Sequence, residues 1–499
     1  SAAEFSVSVS GTGPFTYQWQ RSADGTTFTD LDGQTSTTLA IASATTADIG
    51  WYRVVAQNAL GSVASNAASL AVGVTYPAPA ADGFASATTG GGSAAVATVL
   101  DAASFRTLAE SDAAAVITIA GIINLDTPVN VKSNKTIQGL DAGATLVGNL
   151  RLGASTTNVV IRGLNITNPG TNIAGDAYTD GGDGVTIDGA RDVLITHCSF
   201  FNCADHALRI SNGADRITVS WNEFDYTNAQ TVHRYSVLIG NDTATATTPR
   251  VTLHHNRWST GVTHRMPYIV NAQVHAFGNL LDASGNTDGT DVRDGGQLLS
   301  ERNVYTGINN PLLRSGTGRV RTIDNVYTAT TGTTANAGTD TVFLPSYSYV
   351  LPAAANVTGD VTAGAGNIAG GNITAPTARS ASISGTATVT RGSAFTLTAN
   401  VTGATATSYQ WRRNHTVITG ATSATFTVQS AADSDAADYT VVAVLASGEG
   451  VVSTPFKLTV NQPPAPPPAQ PSGGGGGGGG SPSLGYLGAL LLLVAMRAL

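Results

Sequence analysis

Seven short stretches in the middle of the chain, GLNIT, HCSFF, SWNEF, HHNRW, FGNLL, ERNVY and IDNVY, each carry an asparagine or a serine at their centre: Asn165, Ser199, Asn222, Asn256, Asn279, Asn303 and Asn325. Successive differences are 34, 23, 34, 23, 24 and 22 residues, a period of 22 to 24 with two coils lengthened by about half a turn. Five residues earlier stand Val160, Leu194, Ile217, Val251, Val274, Leu298 and Val320, all aliphatic; two residues later stand Thr167, Phe201, Phe224, Trp258, Leu281, Tyr305 and Tyr327, mostly bulky. A repeat this short cannot bury its apolar face alone, so like must stack on like. The pattern predicts a parallel β-helix with an asparagine ladder at one turn, and makes Trp258 a member of the core stack rather than a sugar platform. The extra residues of the long coils fall at 171–182 and at 226–235 or 241–249, where a solenoid builds binding surface. DAASFRTLAES, ahead of the coils, reads as an amphipathic helix closing the end of the stack.

The remaining sequence fits an all-β chain. Only 12% of its 499 residues are charged, and Val, Ile and Thr recur between turn-forming residues. A net charge of -8 argues against nucleic acid as partner, because phosphates need a basic excess. Cys198 and Cys203 are too few for a disulfide scaffold and lack zinc-site spacing.

Two outer segments resemble each other. One has Trp19 in YQWQ and then Asp48, Gly50 and Tyr52; the other has Trp411 in YQWR and then Asp435, Ala437 and Tyr439. Both look like immunoglobulin-like sandwiches with a tyrosine corner, in which Val7 and Val54, or Leu397 and Val441, stand where a disulfide usually lies. The expected domains are a sandwich over 1–74, a linker over 75–92, the β-helix over 93–376, a second sandwich over 377–461, a Pro/Gly-rich linker over 462–483 and an apolar tail over 484–499. The tail's apolar run, Leu484 to Met496, is shorter than the roughly 20 residues a spanning helix needs. It resembles the glycine-rich C-terminal sorting signals of exported bacterial proteins. The expectation is an extracellular or cell-surface monomer, with envelope association through this tail.

Chemistry concentrates where three stretches align by their terminal isoleucines: DHALRI at Ile210, RYSVLI at Ile239 and HRMPYI at Ile269. As one strand on consecutive coils, about 4.8 Å apart, these gather Asp205, Arg234, Tyr235 and Arg265 along one edge, with Asp183 one coil earlier. Carboxylates beside cations suit a metal-bridged, negatively charged sugar. The ordered run GGDGVTIDGARDVLITHCSFFNCADHALRI, ITVSWNEF, LIGND, RVTLHHNRW and HRMPYIVNAQVHAFGNLL, with SNKTIQG before it, resembles the pectate and pectin lyase family of right-handed parallel β-helix enzymes over roughly 95–330.

The resemblance implies a secreted enzyme that cuts acidic plant pectin by β-elimination, releasing 4,5-unsaturated oligogalacturonides. It makes Arg265 the base at C5, Asp183 and Asp205 calcium ligands, and Arg209, Arg234, Tyr235 and His264 substrate contacts. Calcium suits the chemistry, since a hard ion prefers carboxylate oxygens and neutralises the developing enediolate. An arginine base is chemically demanding: a free guanidinium has a pKa near 12.5 or higher, so neutrality at pH 8.5 costs about 5 kcal/mol unless neighbouring cations help. An alkaline optimum follows.

Departures from the family pattern matter too. Arg209 stands where a third calcium acid is usual, Tyr235 where a substrate-gripping lysine is, and Val270 where a second arginine is. The alternatives are thus a metal-independent pectin lyase, with Arg209 in the place of the ion, or a non-catalytic pectin-binding or adhesive β-helix. NTDG at 286–289 resembles the opening motif of the hydrolytic polygalacturonases, but no Asp-Asp pair follows, and His415 is the only later histidine.

Overall fold

Each coil of the central region contributes one strand to each of three parallel sheets, and neighbouring strands in every sheet come from successive coils. The computed structural model describes residues 2–23, 25–70, 72, 81–170, 182–227, 233–243, 247–334, 338–367 and 378–463. One sheet has ten strands, from Val96–Val99 to Arg319–Ile323; a second has nine, from Ile122–Asn124 to Val326–Thr328; the third has eight, from Val129–Asn130 to Leu312–Arg314. This is the expected right-handed parallel β-helix. Its interior is one continuous apolar cluster running from Val99 to Val320. Asp101 caps the Ala102–Ala109 helix through the Ser104 N–H at 2.8 Å, and Phe105 and Ala109 of that helix enter the same cluster.

The asparagine ladder exists, one residue out of phase with the sequence reading in its first two coils. Asn222 Nδ2 donates to Asn256 Oδ1 at 3.0 Å, Asn256 to Asn279 at 3.1 Å, Asn279 to Asn303 at 2.8 Å and Asn303 to Asn325 at 3.3 Å. The Cys198 N–H, not Ser199, donates to Asn222 Oδ1 at 2.9 Å, while Ser199 pairs with Asn165 and Glu223 in the next column. The inner stack is therefore Ile166, Phe200, Phe224, Trp258, Leu281, Tyr305 and Tyr327, without Thr167 or Phe201. Val159 and Val193 likewise replace Val160 and Leu194 in the aliphatic column above Ile217. A one-residue slip exchanges the two faces of a strand.

The slip escaped notice because both faces of this sheet are buried. Residues 82–91 lie across its outside: the Phe84 N–H donates to Thr252 Oγ1 at 3.1 Å, Ala85 to Thr218 at 3.1 Å and Gly91 to Thr136 at 3.0 Å. Val160 and Leu194 are buried under this cover and stay apolar for that reason. Trp258 is a core residue as expected, 1% exposed and 5.3 Å from the Phe224 ring.

Both outer segments form mainly antiparallel sheets with the expected corner, the second with one parallel pair, Thr388–Thr390 beside Phe456–Asn461. Tyr52 Oη donates to the Asp48 carbonyl at 2.6 Å, and Tyr439 Oη to that of Asp435 at 3.0 Å. Trp19 packs with Val54, and Trp411 with Leu397 and Val441, so aliphatic side chains fill the place of the disulfide. The strand Tyr349–Leu351 pairs with Gly450–Val452 and joins the second sandwich to the chain that leaves the coils. The two cysteines are buried free thiols. Residues 171–181 of the first insertion, residues 228–232 and 244–246 of the second, and the apolar tail lie outside the described residues. Among the described residues no helix is long and apolar enough to cross a membrane.

Candidate active site

The eight-stranded sheet carries the site at the entry to four consecutive strands, Val185–Asp188, His206–Ser211, Tyr235–Gly240 and Tyr268–Val270. Its register pairs Ile187 with Ile210, Ile210 with Ile239 and Ile239 with Ile269, as the alignment of isoleucines requires. Counted four residues back from these, Asp183, His206 and Tyr235 occupy one column across the coils. On the next coil the register slips by one residue, so that Tyr235 bridges His264 and Arg265 is the extra residue beside it; Asp205 and Arg234 stand one residue before His206 and Tyr235.

Asp183 is nearly buried, and its neighbours bond both of its carboxylate oxygens. Oδ1 accepts from the His206 backbone N–H at 3.2 Å and faces His206 Nδ1 at 3.2 Å, while Oδ2 accepts from Thr186 Oγ1 at 3.0 Å. Its carbonyl accepts from Asn149 Nδ2 at 3.0 Å and Asn168 Nδ2 at 2.8 Å. Burial alone would raise the Asp183 pKa; the hydrogen bonds and charge of His206 outweigh it and hold the carboxyl below its ordinary value. Asp205 Oδ1 lies 3.1 Å from the same His206 Nδ1. For His206 the opposition is reversed: burial pulls the pKa down, and the two carboxylates carry it above the ordinary histidine value.

Arg265 crosses the column. Its backbone has a left-handed φ of 63°, uncommon outside glycine and asparagine. Its guanidinium lies 4.4 Å over the Tyr235 ring and 5.3 Å from the Tyr268 ring, and Nη1 makes a short hydrogen bond to His206 Nε2. Arg293, paired with Asp291 at 2.9 Å, sits 5.2 Å from the same Tyr268 ring.

The sequence-derived residues thus divide into groups. Asp183, Asp205, Tyr235 and Arg265 come together. His264 adjoins them, its ring edge-on to Tyr235 at 5.3 Å and its Nδ1 2.6 Å from Asp288 Oδ2. Arg209 is half-buried on the outer face, between Thr186 and Leu238 in register, and its Nε is buried without a hydrogen-bond partner. Arg234 touches the neighbouring coil through its carbonyl, which accepts from the Thr263 N–H at 3.0 Å.

Sequence reasoning missed His206, the residue that links the others. The signal was available: His206 stands four residues before Ile210, as Arg265 stands four before Ile269.

Asp183, Asp205 and His206 are the group among the described residues whose ligand atoms converge closely enough to hold a metal ion. As a donor set it offers two carboxylates and a ring nitrogen, beside an arginine and with Arg209 in place of a third acid. Calcium takes six to eight oxygens, whereas here the His206 ring nitrogen stands between the two acids, 3.2 Å from Asp183 and 3.1 Å from Asp205. The set does not fit calcium.

Comparisons with known proteins agree with this architecture. The pectate lyase family model matches residues 34–369. Pectate lyase A of Aspergillus niger is 31% identical over 275 residues, covering 53% of this chain and 79% of its own. Pectate lyase B of Colletotrichum gloeosporioides is 28% identical over 298 residues, covering 57% and 84%. The crystal structure of jun a 1, the major allergen from cedar pollen, superposes with a TM-score of 0.49 at 22% identity, covering 57% of this chain and 92% of that one. With a matching model that spans two thirds of its length, the chain belongs to the pectate lyase family and is a polysaccharide lyase.

Proposed function

We propose that this lyase cleaves polygalacturonate along the outer face of the eight-stranded sheet, with Arg265 as the base. The observation that carries the reading is the placement of Arg265 at a strand entry, half-buried, with its guanidinium 4.4 Å over the Tyr235 ring and 5.3 Å from that of Tyr268. In the reaction a nitrogen of the Arg265 side chain in its neutral, guanidine form takes the C5 proton of a galacturonate and becomes guanidinium. The C5–H electron pair becomes the C4=C5 double bond, the C4–O bond breaks, and the departing oxygen takes a proton from solvent.

The proton α to a carboxylate is barely acidic, so the second demand is positive charge near that carboxylate. Arg209 and Arg234 are its partners in this reading, and Tyr235 and His264 border the sugar. Against calcium, which the family resemblance implies with Asp183 and Asp205 as ligands, stands the donor set described above. No step is routed through a metal, and the metal-independent reading is favoured, with methylated pectin as a second substrate. Acidic plant polysaccharide lies outside cells, which supports reading the enzyme as one that acts there.

The test is incubation of the purified chain with polygalacturonate and with methylated pectin, in calcium and in chelator, following the ultraviolet absorbance of the unsaturated uronate. Product from polygalacturonate supports the reading. Retained binding with no absorbance on either polymer would leave an adhesive β-helix.

A further inference from the structure

His206 touches three of the residues that the motifs single out. It is 5% exposed, and its ring has polar partners at both nitrogens. Ionised carboxylates only accept hydrogen bonds, so Nδ1, at 3.2 Å from Asp183 and 3.1 Å from Asp205, carries a hydrogen. On the opposite side Nε2 faces Arg265 Nη1. That contact is a hydrogen bond only when one of the two facing nitrogens lacks a hydrogen, and in either arrangement the line from carboxylates through imidazole to guanidinium is the same.

We propose that His206 is the positioning residue for Arg265, and that its imidazole fills the place between Asp183 and Asp205 to which a calcium ion would otherwise be drawn. The proposal rests on the reading of Arg265 as base. Arg265 and His206 lie two coils apart, about 10 Å at the usual strand spacing, so the arginine must extend fully to reach the ring. An unheld arginine has several side-chain torsions free to rotate. The Tyr235 face attracts the guanidinium without fixing its rotation about the ring normal; a directed N–H bond to Nε2 does fix it. The imidazole is itself over-determined, because its own backbone N–H also bonds Asp183. A histidine fixed by an acid and presenting its other nitrogen to the working group is a general device for orientation.

A misplaced base costs turnover more than binding, and a displacement of about 1 Å costs roughly 10²-fold. The test uses the full chain, labelled with 15N-histidine and studied by NMR, by calorimetric titration with calcium chloride and by kinetics with and without chelator. In the wild type the His206 resonances, assigned by their loss in His206→Gln, should show Nδ1 bearing the hydrogen, and Arg265→Ala should shift Nε2. Calcium should give no binding heat at millimolar concentration, and chelator should leave turnover unchanged. His206→Ala should lower kcat by about 10²-fold with KM within about threefold, should now bind calcium, and His206→Gln should recover part of the rate.

Tight calcium binding by the wild type, loss of turnover in chelator, an Nε2 resonance indifferent to Arg265→Ala, or wild-type kcat in His206→Ala would each overturn the proposal. If the wild type cleaves neither polymer, the reading of Arg265 as base fails, while NMR and calorimetry still decide what His206 holds and what it displaces.

Discussion

The Arg265 guanidinium carbon stands 4.4 Å over the centre of the Tyr235 ring, one coil below it. A cation over an aromatic face gains about 0.5 to 2 kcal/mol, more as water is excluded. Tyr235→Leu should therefore lower kcat/KM on polygalacturonate by about 2- to 30-fold, while Tyr235→Phe, which keeps the face, should stay within about twofold. Equal losses in the two variants would show that the hydroxyl, not the ring, matters.

Arg265→Lys tests whether shape or charge matters at this position. Lysine is a compact point charge with no planar fork, so it cannot both lie on the Tyr235 face and direct an N–H to His206 Nε2. Its turnover should fall as far as that of Arg265→Ala. Because Arg265 also stacks on Tyr235 and bonds His206, Arg265→Ala should lower stability by about 0.5 to 2 kcal/mol, too little to unfold the coil. Retention of most of the rate by the lysine variant would make this a simple cation site.

Much of this architecture was legible because periodicity reports burial. The coil period, the Trp258 stack, the tyrosine corners at Tyr52 and Tyr439 and the alignment on Ile210, Ile239 and Ile269 all rest on side chains that pack against their own equivalents. The phase failed at Asn165 and Ser199, where the ladder position holds Leu164 and Cys198. Both are apolar, and the adjacent polar residue took their place in the reading. His206 was missed for a different reason. Its role comes from contacts two coils apart, made by an extended arginine, and strand spacing alone does not show which side chain reaches across. The misfit to calcium was half visible in Arg209, but the place of the His206 ring between the two acids needed coordinates.

The ladder offers a stability test outside the site. Asn279 Nδ2 donates to the Leu253 carbonyl at 2.9 Å and to Asn303 Oδ1 at 2.8 Å, while its Oδ1 accepts from the Asn256 N–H at 2.9 Å. Asn279→Ala deletes all three bonds and leaves the buried Asn256 N–H without its acceptor, at about 1 to 3 kcal/mol, while Asn303 Oδ1 keeps the Asn279 backbone N–H at 2.9 Å. The urea midpoint should drop correspondingly, and Asn256→Ala combined with it should cost less than the sum, since the two share a bond. Additive losses would mean the ladder acts as separate side chains.

Glu301 governs the behaviour in acid. It is fully buried where the coils meet the second sandwich, with Arg412 Nη1 at 2.8 Å, His275 Nε2 at 3.1 Å and Tyr349 Oη at 2.5 Å. Burial would raise its pKa, but the His275 hydrogen bond and the Arg412 charge overcome this and hold the carboxyl far below its ordinary value. Its stabilisation is therefore complete above the unfolded carboxyl pKa of about 4.3 and is lost as pH falls toward the folded value. Burial also lowers the His275 pKa despite Glu301, so the folded ring resists a proton that the unfolded ring accepts below about pH 6.5. Both contributions have the same sign: that of this cluster should be level above about pH 6.5, fall gently to about 4.3 and steeply below it. Glu301→Gln should remove the steep part and, by stranding the buried Arg412 charge, cost about 3 to 5 kcal/mol at neutral pH. A variant as stable as the wild type at pH 7, with the same acid slope, would place the acid-sensitive group elsewhere.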